Sequence, residues 1–180
     1  YLDNTSGQQK VRVKPHPNPD RAEKTTYMTR QEMTVETLQP SQQWVPAGTG
    51  DLGKLHVEIL SCTGLPNVDV GEAVGNLTDC FVCAVFEDAM VQTPVIDHEL
   101  SPHWLPWTQR AFCCGMMHPA SMLYLGAFDF DLGLSDHESI GRVAVNISSL
   151  QRDTVYTLKY NLYKSSNVTD RTPSGSITIR

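Results

Sequence analysis

No stretch of this 180-residue chain approaches the ~18 consecutive apolar residues of a membrane-spanning helix, so no span is expected within it. No apolar leader opens it, and it starts at Tyr1 rather than Met, so any targeting or anchoring segment is expected outside these residues. Apolar spacing of 3.6 is missing over any helix-length window, the only helical candidate being a turn near 148–152, and internal repeats are absent, which excludes bundles and solenoids. There is no Gly-rich phosphate loop and no Ser/His/Asp, Cys/His or zinc signature. Asp129 and Asp131, two residues apart, are too close to serve as the acid and base of a glycosidase, so this chain is not expected to be an enzyme.

Cysteine is present in an odd number, five, at spacings that suit neither disulfides nor zinc. Cys80 and Cys83 fall three apart on an expected strand and so on opposite faces, and the adjacent Cys113 and Cys114 diverge likewise. They read as small buried hydrophobes or thiols in a reducing compartment, which points to the cytoplasm. Four Asn-x-Ser/Thr sequons, at Asn4, Asn76, Asn146 and Asn167, keep an extracellular calcium-adhesion module open as an alternative. The six histidines do not cluster; His137 alone lies in an acidic loop, where it either tunes a site with pH or occupies a turn.

Charge and composition divide the chain near residue 50. Residues 1–50 carry six Lys/Arg against five Asp/Glu, while 51–180 carry eight against fifteen, a balance of +1 and −7. The first part, rich in Gln, Thr, Pro, Lys and Arg, reads as a largely irregular extension or linker, with Lys14-Pro-His-Pro-Asn-Pro19 extended and Glu32 to Leu38 a short strand or docked arm. The acidic second part excludes nucleic acid as a partner. From Lys54 the apolar period is two: Leu55, Val57 and Ile59 alternate with His56 and Glu58. The same texture recurs at 80–87, 90–97, 107–113, 122–129, 140–147, 155–163 and 175–180. Turn residues separate these runs, predicting an all-β, eight-stranded antiparallel sandwich over 51–180. Trp104, Pro106 and Trp107 are expected to pack around the second loop.

Two acidic loops stand out: Asp69 to Asp79, and Asp129-Phe-Asp131 through Asp136 to Glu138. Each begins where a strand ends. Carboxylates gathered at one end of a sheet repel unless a cation sits among them, and hard oxygen donors in that number suit Ca²⁺. Val70, Ala73, Val74, Leu77, Leu132 and Leu134 lie in the same loops, where they either enter a lipid interface beside the ion or fold back onto the loops.

Four stretches give the chain a resemblance to the C2 domain, the calcium-dependent phospholipid-binding module of synaptotagmins, protein kinase C and cytosolic phospholipase. They are Gly64-Leu-Pro-Asn-Val-Asp69, Thr78-Asp-Cys-Phe-Val82, Leu100-Ser-Pro-His-Trp104, and Asp129-Phe-Asp131 leading to Ser139-Ile-Gly141. The resemblance implies calcium ligands at Asp69, Asp79, Asp129, Asp131 and Glu138. Asp136 competes for the last place, since the family has Asp where Glu138 stands, and both loops run longer than is usual. It further implies calcium-gated, peripheral binding to anionic phospholipid membrane as a targeting module of a larger protein. The alternative is a calcium-independent domain that binds a protein partner. Because the first loop follows the first strand and Gly175 to Arg180 supplies a closing strand, the expected topology is the type II arrangement of phospholipases. Val91 to Asp97 contains no lysine, so strong polyphosphoinositide selectivity is not expected.

Overall fold

The computed structural model describes residues 9–69, 77–131, 137–164 and 171–180. The chain enters its sandwich through an arm of short elements: β1 (Lys10–Arg12), α1 (Pro19–Thr25), β2 (Tyr27–Thr29), α2 (Arg30–Thr37) and β3 (Val45–Ala47). Helices of seven and eight residues are too short to persist alone, and each is nucleated by its cap. Asn18 accepts from the Asp20 amide at 2.9 Å with Pro19 in the first turn. In α2 a capping box joins Thr29 to Glu32 in both directions, at 2.7 and 3.1 Å. β1 pairs antiparallel with β2, and Met28 and Met33 close a small second core against Leu105 and Trp107, flanked by Val11 and Val13.

The extension expected to be largely irregular is therefore folded and docked wherever it is described, and Glu32 to Thr37 is helix rather than strand. The reason is length. Strands of three residues are too brief for a period of two to register and helices of about two turns too brief for one of 3.6, and only Met33 and Thr37 of α2 are buried.

Eight strands follow: β4 (Gly53–Thr63), β5 (Cys80–Phe86), β6 (Ala89–Gln92), β7 (Ala111–Met116), β8 (Met122–Asp129), β9 (Ser139–Asn146), β10 (Leu158–Asn161) and β11 (Ser176–Ile179). One sheet runs β10-β11-β4-β7-β3 and the other β6-β5-β8-β9. All pairings are antiparallel except that of β3 with β7, which is parallel. Ile59, Val82, Phe112, Leu123, Leu125, Ile140, Leu162 and Ile177 fill the space between the sheets, and Trp104 joins them with its indole N–H on the Pro94 carbonyl at 2.8 Å. Gly50 and Gly115 cross where the arm meets β7; a Cβ on Gly50 would stand 2.3 Å from the Met116 carbonyl carbon, so no other residue fits.

The period of two predicts an exposed Glu58, yet this residue is buried because the arm covers the outer face of β4. Arg110, fully buried, donates to the Thr37, Gln39 and Trp104 carbonyls and to Ser41 Oγ at 2.6–2.8 Å. Arg180 forks onto the Glu58 carboxylate and reaches the Leu38 and Gln39 carbonyls. Burial pulls the Arg110 guanidinium down to about 10 against the attraction of Glu58. For Glu58, burial pushes upward but hydrogen bonds from Arg180 and Ser41 outweigh it, leaving the carboxyl below its ordinary value.

Candidate metal centre

The register Cys80↔Asp129 sets the start of β5 beside the end of β8, so the loop before one and the loop after the other share a pole. The pairing of Ser176 with Thr63 brings the start of β11 to the same end. Thr78, fully buried, ties down the first loop: its hydroxyl donates to the Pro66 carbonyl and accepts from the Val68 amide, both at 3.1 Å. The two loops are stitched together through their main chains. Phe130 N–H donates to the Asp79 carbonyl at 2.9 Å, and the Asp79 N–H donates to Asp129 Oδ1 at 2.6 Å.

Here Asp69, Asp129 and Asp131 converge, each presenting a carboxylate oxygen within 4.8 Å of the others. Asp129 is only 2% exposed. Burial lifts its carboxyl to about 6; the Asp79 N–H pulls the other way, and the charges of Asp69 and Asp131 push it further up. A carboxyl whose neighbours favour its neutral form is a group that gains from a bound cation. Three hard oxygen donors, with no nitrogen or sulfur among them, fit Ca²⁺ better than a softer metal.

The remaining sequence-derived candidates are placed differently. Asp79 belongs to the pole, but its carboxylate is not one of the three that meet; its Oδ1 accepts from the His98 N–H at 2.7 Å with His98 Nδ1 3.5 Å off. Glu138 lends its carbonyl to the Asp129 N–H at 2.8 Å, while its carboxylate meets Lys164 Nζ at 2.9 Å. Leu77 is half-buried, its carbonyl 3.3 Å from His98 Nδ1. Asp136, Val70, Ala73, Val74, Leu132 and Leu134 lie outside the described residues.

Sequence reasoning missed the aromatic wall behind the trio. Phe81 stacks on Phe128 at 5.7 Å and meets His137 edge-on at 5.3 Å, while His137 stacks on Phe130 at 5.0 Å and accepts from the Asp131 N–H at 3.3 Å. Parity could have shown it: along Phe128-Asp-Phe-Asp131 the aromatics take one face and the acids the other. His98 had no comparable signal, since it reaches Asp79 through its main chain.

A family model described as the C2 domain matches residues 53–162, more than half of the chain. The chain belongs to the C2 domain family. Among curated relatives, this C2 chain is 27% identical over 128 residues to FT-interacting protein 3 of Arabidopsis thaliana, covering 67% of the chain and 15% of that protein. It is 28% identical over 120 residues to multiple C2 domain and transmembrane region protein 12 of the same plant, covering 64% and 14%. The chain thus spans about 15% of the length of the relatives it matches. Among solved structures, a C2 domain of plant extended synaptotagmin 1 superposes with a TM-score of 0.60 at 19% identity, covering 73% of this chain and 93% of that one. Human GIVD cytosolic phospholipase A2 does so at 0.54 and 15% identity, covering 70% of this chain and 16% of that chain. At these identities the likeness is one of C2 fold alone.

Proposed function

We propose that this C2 domain binds phospholipid membranes in a calcium-gated, reversible manner, as the targeting module of a larger cytoplasmic protein. The observation that carries the reading is the convergence of Asp69, Asp129 and Asp131 at one pole. Those residues would hold the ion, with Asp79 and Glu138 able to join once released from His98 and Lys164. Calcium there supplies positive charge and coordination positions that anionic headgroups can complete. The protein's own part is to hold like charges together at a sheet end: the Asp79 N–H fixes Asp129, the Thr78 hydroxyl fixes the loop before β5, and the Phe81–His137 wall backs the loop after β8. The apolar loop residues Val70, Val74, Leu77, Leu132 and Leu134 would enter the lipid interface beside the ion. No helix among the described residues is long and apolar enough to cross a membrane.

A second reading, a calcium-independent domain that binds a protein partner, draws on the engagement of Glu138 by Lys164 and of Asp79 by His98, which leaves fewer acids free. Titration calorimetry with Ca²⁺, together with pelleting of phosphatidylserine-containing vesicles with and without chelator, separates the two. Heat of binding and calcium-dependent pelleting are expected, both abolished in Asp129→Asn/Asp131→Asn. Pelleting that survives in this double variant would overturn the calcium-gated reading.

A further inference from the structure

The connection from Thr93 to Arg110, between β6 and β7, is gripped on one side by the arm and touches the acidic pole on the other. On the arm side, Arg30 at the start of α2 forks onto both carboxylate oxygens of Glu99 at 3.2–3.3 Å. The Trp107 indole N–H donates to the Lys14 carbonyl at 2.9 Å, the Gln42 backbone N–H donates to the Pro106 carbonyl at 2.9 Å, and Met33 packs with Leu105 and Trp107. On the pole side, Ile96 bridges Cys80 in both directions at 2.8 and 3.0 Å, the Glu99 N–H donates to the Thr78 carbonyl at 3.2 Å, and the His98 N–H holds the Asp79 carboxylate. His98 sits at φ 53, a backbone setting that aims its amide and is uncommon for a residue with a side chain. Glu99 is the pivot: only 13% exposed at its side chain, it binds Arg30 and also caps the Ser101 N–H at 2.8 Å.

We propose that the N-terminal arm regulates the calcium pole: Arg30, through Glu99, fixes the turn whose His98 amide keeps the Asp79 carboxylate out of the ligand set. Arg30, Glu99 and His98 are positioning residues, none of them a ligand. The inference rests on the calcium reading given above. For Asp79 to join the ion, its carboxylate has to turn against a charge-assisted bond to a backbone amide that the arm holds in place. Loosening the arm therefore strengthens calcium binding, and by reciprocity calcium loosens the arm.

The test uses the full chain, with Arg30→Gln to break the grip and Arg30→Lys to keep the charge. Calorimetry with Ca²⁺ should show Arg30→Gln binding about fivefold tighter than wild type, at the low end of coupled sites, with Arg30→Lys between the two. Unfolding without calcium should move little, since the Arg30 side chain is 58% exposed, so a merely structural role would leave calcium affinity unchanged. In wild type, saturating calcium should speed hydrogen exchange at the His98 amide and in α2. Equal calcium affinity in wild type and Arg30→Gln, or exchange at His98 and α2 that calcium leaves unaltered, overturns the proposal while the calcium reading stands. Absence of calcium uptake by wild type sinks both.

Discussion

Two clusters of charge sit in the same sandwich, and they are built on opposite principles. Under the arm, one carboxylate, Glu58, faces two guanidinium groups and lies below its ordinary proton affinity despite burial. At the pole, Asp69, Asp129 and Asp131 face one another, and burial, with the charges of the other two adding to it, drives Asp129 up to about 6. The first cluster is complete as it stands, its donors spent on carbonyls of the arm. The second holds repulsion that a proton or an added cation relieves. Complementarity thus distinguishes acid that builds the fold from acid held against like charge.

The largest effect should come from breaking the complete cluster. Arg110→Met takes the guanidinium from the buried Thr37 and Trp104 carbonyls and removes one of the two cations facing Glu58, and should cost about 3–5 kcal/mol in urea unfolding. A cost below about 1 kcal/mol would mean that the arm is not stabilised through this residue.

Asp129→Asn should act in the other direction. Because the folded-state value near 6 exceeds the ordinary 3.8, the folded chain holds the proton more tightly than the unfolded one, so ionisation destabilises the ion-free protein. That penalty is full above about pH 6 and vanishes as pH falls below about 4. Asn should therefore raise chelator-state stability by about 1–3 kcal/mol at pH 7 and leave it unchanged near pH 3.5. With calcium present the order should reverse, since ligand stabilises only the chain that binds it. Chemical unfolding across pH, with chelator and with calcium, reads all three arms.

The smallest effect is expected at Lys164→Ala. Its partner Glu138 has a side chain 49% exposed and its own is 56% exposed, so thermal stability should change by less than about 0.5 kcal/mol. A larger loss would move this pair from the pole's rim into the cluster that builds the fold.

The eight strands could be read from residue order because each is long enough, or bounded clearly enough, for alternation to show; Met122 to Asp129 matches the expected run at both ends. The run expected at 107–113 falls at 111–116 because Trp107 and Thr108 belong to a turn serving the arm's core rather than to the strand. The trio at the pole was legible as three of the five aspartates singled out, of which Asp136 lies outside the described residues. Asp79 departs from it because a backbone amide, invisible to any side-chain pattern, competes for its carboxylate. The arm was hardest to read. Its local signals were the helix starts Asn18-Pro19 and Thr29-x-x-Glu32, whose reach of a single turn gives no hint of what each helix packs on.

The parallel strand β3 has a consequence for how such domains sit beside others. It occupies the flank of the five-stranded sheet next to β7, and its central residue, Pro46, has no N–H to offer. A foreign strand arriving there finds a three-residue border with a missing donor in the middle. By lining that flank with its own preceding residues, the chain makes this one edge of the sheet a poor template for an incoming strand.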